Sequence, residues 1–363
     1  MGFVIAFATI NDSPTSDEPP HLESGYVFLR YGHNFFDPEH PLLTKSLAAV
    51  PLLFQDIKFD LSDPNYVGQR YITHVGKMFD HSRSFLVYQG NNPDQILFWS
   101  RLPMIFLTIT FGFVIFLLSR KLFGNLAAVL AVIFYATEPL FLSHGSLINT
   151  DIPAAGFIIT SIFALILYDE RQSPKRLIFL TLALACAVLS KFSTFYLVPI
   201  VILLMLYIYR IKGRYNFQHI ALLIVGIVVI ISLFYGVIGF RDEGFLAFVP
   251  IRYFAGLVTS IYSLSTSERF TYLLGESYFG SRPYYFPILI VLKTQLLTLI
   301  GVFGALVLFG LKKLKLSKTN LAIFFVPFFI FLGLALIARF NIGVRHVSPA
   351  YPFLIVLASA FFA

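Results

Sequence analysis

The stretch "TSDEPPHLESGY", Thr15 to Tyr26, sets two adjacent carboxylates, Asp17 and Glu18, and a histidine, His21, directly after a short apolar run. A carboxylate placed beside a hydroxyl can take its proton and turn it into a nucleophile. Four more segments carry polar groups of the same kind. "FFDPEHPLLTK" supplies Glu39, His40 and Lys45, and "SHGSLINTDIPA" supplies His144, Asn149 and Asp151. "LSKFST" supplies Lys191, and "NIGVRHVSPAYPF" supplies Arg345 and His346. Lysine and arginine can clamp the oxygens of a phosphate. Read together, these residues suit a site that activates a hydroxyl and holds a phosphate.

Each of them also has a plainer role. Ser16–Asp17 before Pro19 and Pro20 reads as a helix start, and "NTDIP" makes Asp151 a helix cap of the same kind. Glu18 suits a loop acid, and Glu39 beside His40 suits a solvated pair. Lys191 can reach lipid headgroups along its aliphatic stem, and Arg345 can anchor lipid. His21, His144 and His346 read as supporting groups. Glu138, in "YATEPLF", stands inside an apolar block and takes no role from its sequence context.

The chain around these residues is a membrane protein. Hydrophobic residues make up 57% of its 363 positions and charged residues 13%, against about 25% charged in soluble domains. The apolar residues cluster in blocks near the roughly 20 residues that a spanning helix needs. Runs such as 177–189 and 220–237 do not alternate as the strands of a membrane barrel would. The blocks lie near 101–119, 124–143, 152–168, 177–190, 193–210, 219–239, 286–309 and 320–338. Partial ones at 1–10 and 349–363 make the chain look cut at both ends. Cys186, the single cysteine, lies in an apolar run, which excludes an intrachain disulfide and a thiolate metal site.

Charge gives the expected orientation. The loops holding Arg120–Lys121, Arg171/Lys175/Arg176, Arg210/Lys212/Arg214 and Lys312/Lys313/Lys315/Lys318 alternate with loops poor in lysine and arginine. The positive-inside rule assigns these four to the cytoplasm. The opposite face then receives the long first loop 11–100, the turns near 144–151 and 191, the second large loop 240–285 and the turn 339–348. All the candidate site residues fall on that face. The net charge of +8 is thus a matter of topology, and nucleic acid is not an expected partner. Leu22, Tyr26 and Leu29 at helical spacing predict a helix along the membrane interface. The segment "FLAFVPIRYFAGLVTSIYSL" reads as interfacial or re-entrant.

Five motifs, in order and on one face, carry a family resemblance. "TSDEPPHLESGYVFLRYGHNFFDPEHPLLTK", "SHGSLINTDIPAAGF", "LSKFSTFYLVP", "SRPYYFPILIVLKTQL" and "NIGVRHVSPAYPFLIV" resemble phospholipid-carrier-dependent glycosyltransferases of the protein O-mannosyltransferase-like superfamily, glycosyltransferase family 39-like enzymes. The resemblance spans nearly the whole chain. It implies an all-α polytopic GT-C fold and a single transmembrane catalytic domain. It also implies inverting transfer of a sugar from a polyprenyl- or dolichyl-phosphate donor to a hydroxyl of a protein, glycan or lipid acceptor. In that reading Asp17 is the general base, with Glu18 and Asp151 as further catalytic or orienting carboxylates. Lys45, Arg345 and Lys191 meet the donor phosphate, and Glu39, His40 and His346 support the site. Leu42 stands where the family pattern has a second proline.

No cofactor is required by the motifs, and metal use is left open, because oxygen and nitrogen donors are present without a spaced ligand motif. The competing reading is a flippase for lipid-linked sugars, which calls for a polar path and broken helices through the bundle. A scaffold subunit with a decayed site is a third. Short loops and the lack of a targeting signal lean toward a prokaryotic plasma membrane.

Overall fold

The computed structural model describes all residues except 11, 70–74, 215, 267–269, 339–340 and 342. It is a helical bundle. The first helices are α1 (Gly2–Thr9), α2 (Glu18–Tyr31), α3 (Leu42–Ala49), α4 (Pro64–Gln69) and α5 (Val75–Arg83). The bundle continues with α6 (Pro93–Phe123), α7 (Asn125–Thr137), α8 (Pro139–His144), α9 (Asp151–Glu170), α10 (Pro174–Ser190), α11 (Leu197–Lys212) and α12 (Phe217–Glu243). After α13 (Ile251–Thr266) an antiparallel hairpin forms, β1 (Phe270–Leu273) paired with β2 (Glu276–Phe279). The last four helices are α14 (Tyr285–Lys293), α15 (Leu296–Gly310), α16 (Lys318–Leu336) and α17 (Tyr351–Phe362).

Among the described residues, six helical segments are long and apolar enough to cross a membrane: 93–123, 151–170, 192–212, 217–248, 318–336 and 344–362. A seventh arises if α14 and α15 count as one span, but they meet at 114°. That break corrects the expectation of a single span over 286–309. The block expected at 124–143 is also divided, because α7 ends at Thr137 and Glu138 turns extended before Pro139 opens α8. Proline tolerates the first turn of a helix but not its interior, so "TEP" forces a new start. The block at 177–190 forms α10, which at 17 residues is shorter than the six long spans. Composition located these blocks, but where each helix breaks depends on local backbone chemistry.

The polar groups sort to the two ends of α9, whose 20 residues extend about 30 Å. At one end Asp169 pairs with Lys212 at 2.6 Å and accepts from Thr319 Oγ1 at 2.9 Å. Glu170 meets Lys121 and Arg176 at the same end. The basic loops are thereby drawn together. Asp151 begins the opposite end, with the candidate site.

α2 is the helix expected from "HLESGYVFLRYG", but it is not half-exposed like an interfacial helix. Residues Glu18 and Pro20 through Phe28 are all buried. It is enclosed by α3, α5 and α12. At Gly25 a Cβ would stand 2.0 Å from the Lys45 carbonyl oxygen, so glycine is what lets α2 and α3 touch backbone to backbone. The second loop docks on the first: Arg241 Nη1 donates to the Arg30 carbonyl at 3.0 Å, and Asn34 Nδ2 donates to Glu243 at 3.3 Å.

Candidate active site

Asp17 sits immediately before α2 and its side chain makes no capping bond. Its Oδ2 instead meets Arg345 Nη1 at 2.5 Å. Asp151 opens α9, yet the first amides there are met by Asn149, whose Oδ1 accepts from the Asp151 amide at 3.0 Å and from the Ile152 amide at 3.3 Å. The Asp151 carboxylate is therefore free to reach outward. Its Oδ1 accepts from Lys191 Nζ, and its Oδ2 lies 3.8 Å from Arg345 Nε. Lys191 is extended at the C-terminus of α10, and the turn carrying Arg345 starts at Gly343, whose φ of 95° suits glycine. Four elements thus deliver two carboxylates and two cations to one place.

These four groups line a cavity of about 590 Å³, together with His21, Asp37, Glu39, His40 and His346. Much of the remaining wall is apolar. Leu257 and Ile261 of α13, Phe286 of α14, and Phe331, Leu334 and Ala335 of α16 contribute to it. The charged groups can hold an anion and a hydroxyl, and the apolar side chains can hold hydrocarbon.

Two expected site residues lie off this cavity. Glu18 is fully buried, and Arg101 donates to it twice, Nε to Oε1 at 2.8 Å and Nη2 to Oε2 at 2.7 Å. It also accepts from the Thr15 amide at 2.8 Å and the Ile148 amide at 3.1 Å. Glu18 ties the N-terminal segment, α6 and the 144–151 turn together. Lys45 is also fully buried. Its three N–H groups go to Asp37 Oδ2 at 2.6 Å, the Asp37 carbonyl at 2.7 Å and the His40 carbonyl at 2.9 Å. A lysine ammonium has three donors, so none is left for a phosphate in this arrangement.

Asp37 and Arg101 were missed from sequence. Asp37 has a φ of 49°, a left-handed conformation that aspartate tolerates better than most residues. Its Oδ2 accepts from His21 Nδ1 at 2.8 Å as well as from Lys45. Burial alone would push its carboxyl up, but the Lys45 ammonium and then His21 outweigh this and hold it well below the usual carboxylate range. His40 packs edge-on against His21, ring centroids 5.3 Å apart. Burial above all keeps His40 well below the usual imidazole range. The available signal was Asp37's position inside "FFDPEHPLLTK". Among the described residues, no grouping of three or more His, Cys, Asp or Glu side chains fits a metal ion.

Fold and site together define the class: an all-α polytopic membrane protein of the GT-C fold. The sequence pattern of the family described as dolichyl-phosphate-mannose-protein mannosyltransferase matches residues 94–238. The structure is similar to ArnT from Cupriavidus metallidurans bound to undecaprenyl phosphate, with a TM-score of 0.67, 14% identity and 99% of this chain covered. It is also similar to the Archaeoglobus fulgidus oligosaccharyltransferase in its apo form, with a TM-score of 0.58, 13% identity and 99% covered. The chain spans 58% and 49% of the lengths of those two proteins. No curated protein sequence matches it.

Proposed function

We infer that this chain transfers a sugar from a polyprenyl- or dolichyl-phosphate donor to an acceptor hydroxyl, with inversion, on the extracytoplasmic face of a prokaryotic plasma membrane. The observation that carries this reading is one cavity lined both by Asp17, Asp151, Lys191 and Arg345 and by apolar side chains of α13, α14 and α16. A lipid phosphate sugar has the matching chemistry: a tail, an anion and a reactive C1. The likeness to a protein solved with undecaprenyl phosphate supports the same donor class, and the family match over 94–238 supports mannose and a protein hydroxyl.

The steps follow from the charges. Asp17 takes the proton of the acceptor hydroxyl as its oxygen attacks C1. The bond from C1 to the phosphate oxygen breaks, and its electron pair leaves with the phosphate. A single displacement inverts the centre and needs no covalent sugar on the enzyme. Lys191 and Arg345 stabilise the growing phosphate charge. Asp151 holds both cations at the mouth, so that the phosphate meets donors already in position.

The reading is tested by photo-crosslinking membranes with a benzophenone-bearing polyprenyl phosphate. Label within 331–338, at the C-terminal end of α16 and just after it, that undecaprenyl phosphate competes away is expected. Label spread over the lipid-facing helices with no competition would contradict the reading.

A further inference from the structure

Arg345 sits on a short 3-10 turn, Val344–Ala350. Such turns have poorer hydrogen-bond geometry than an α-helix and are seldom long, so this one depends on outside ties. The guanidinium is partly exposed at the cavity, on a long stem with many rotamers, and its place follows from what holds the turn. The start of the turn is tied to the second loop. The Gly343 amide donates to the Tyr285 hydroxyl at 3.0 Å, and the Asn341 carbonyl accepts from Thr271 Oγ1 at 2.9 Å. The far end is tied across the site: Ser348 is fully buried, and its Oγ donates to the Asp151 carbonyl at 3.1 Å. A helical serine often bonds back to a carbonyl of its own helix. This one reaches a different helix instead.

Residues i and i+3 of a 3-10 helix lie on one face, because the helix has three residues per turn. Arg345 and Ser348 have that spacing, and both meet Asp151. The guanidinium faces its carboxylate, with Nε 3.8 Å from Oδ2, and the hydroxyl holds its carbonyl. Val347 and Pro349, on either side of Ser348, line the cavity, whereas Ser348 is turned away from it. We propose that Ser348 is a positioning residue for Arg345. It fixes the turn against the first residue of α9, so that the donor phosphate meets a guanidinium already in place. Ser348 touches no substrate and acts through the backbone of the turn. Without this tie the turn is freer, and the phosphate must order it on binding, at a cost in affinity. The inference rests on the transferase reading, through its lipid-phosphate donor.

The test is equilibrium binding of undecaprenyl phosphate to the folded fraction of the detergent-solubilised full chain. Ser348→Ala removes the hydroxyl, and Ser348→Cys fills the space with a weak donor. Each is expected to weaken binding by about 5- to 10-fold, the worth of one hydrogen bond. Arg345→Ala should weaken it by about 10- to 100-fold, as the loss of a charge-assisted bond. Adding Ser348→Ala to Arg345→Ala should then cost less than about twofold more, because the serine acts through the guanidinium. A serine that only stabilises the fold would lower the thermal midpoint and leave the affinity of the folded fraction unchanged. Binding by both serine variants within about twofold of the parent would overturn the inference and leave the donor reading standing. A Ser348→Ala loss that persists in full beside Arg345→Ala would overturn it too. A parent protein that does not bind undecaprenyl phosphate would overturn the donor reading and this inference with it.

Discussion

Arg345 bridges Asp17 and Asp151, lying 2.5 Å from the first and 3.8 Å from the second. One guanidinium thus joins the residue before α2 to the first residue of α9, although the three positions lie far apart in sequence. In the proposed transfer, a phosphate held by Arg345 would lie beside the Asp17 carboxylate, and binding of the leaving group and activation of the nucleophile would be coupled through one side chain.

Glu18 and Arg101 hold the architecture and do not touch the cavity. Removing one partner of a buried ion pair leaves the other charge unpaired, at about 3–5 kcal/mol. Glu18→Gln should therefore lower the thermal midpoint of the detergent-solubilised protein by several degrees, while the folded fraction keeps its affinity for undecaprenyl phosphate. A stable Glu18→Gln protein that has lost transfer would instead place Glu18 in the chemistry.

The two lysines should separate. Lys191 lines the cavity, and its removal should weaken donor binding by about 10- to 100-fold, the range of a charge-assisted hydrogen bond. Lys45 has no donor to spare, so Lys45→Ala should lower stability and disorder the 37–45 turn. Titration of undecaprenyl phosphate against the folded fraction of each variant checks this. A well-folded Lys45→Ala protein with lost affinity would mean that Lys45 leaves Asp37 for the phosphate.

His40 makes stability depend on pH. Its folded imidazole is held well below the usual range by burial, so the unfolded chain binds a proton more readily there. Stability is then lost as pH falls through the ordinary imidazole range and below. Asp37 acts in a lower window: its depressed folded value adds stability above the ordinary carboxylate range, which is lost below it. Thermal midpoints measured from pH 7 down to about pH 5 should fall for the parent, and less for His40→Gln. Equal falls would show that other groups govern this window.

Much of this was legible from sequence because it depends on composition and charge. The apolar blocks and the basic loops around Arg120, Arg171, Arg210 and Lys312 gave the bundle and its two ends. Asp17, Asp151, Lys191 and Arg345, which share one cavity, drew notice because polar groups at helix mouths stand out against an apolar background. What could not be read depends on which side chains the folded chain pairs. Glu18 and Lys45 were expected at the site, but Arg101 and Asp37 occupy them. The role of Asp37 rests on a left-handed backbone and on His21, neither of which shows in "FFDPEH". The bend between α14 and α15 at Thr294–Gln295 is marked by no proline or glycine, so nothing in the local sequence announces it.

The central claim is best tested by sugar transfer from a radiolabelled polyprenyl-phosphate-hexose, comparing the parent with Asp17→Asn and measuring donor binding alongside. The expected result is transfer by the parent, a loss of about 100-fold or more in the variant, and donor affinity retained. Undiminished transfer by Asp17→Asn would contradict the account at its core and shift the role of base to Asp151, the other carboxylate beside Arg345.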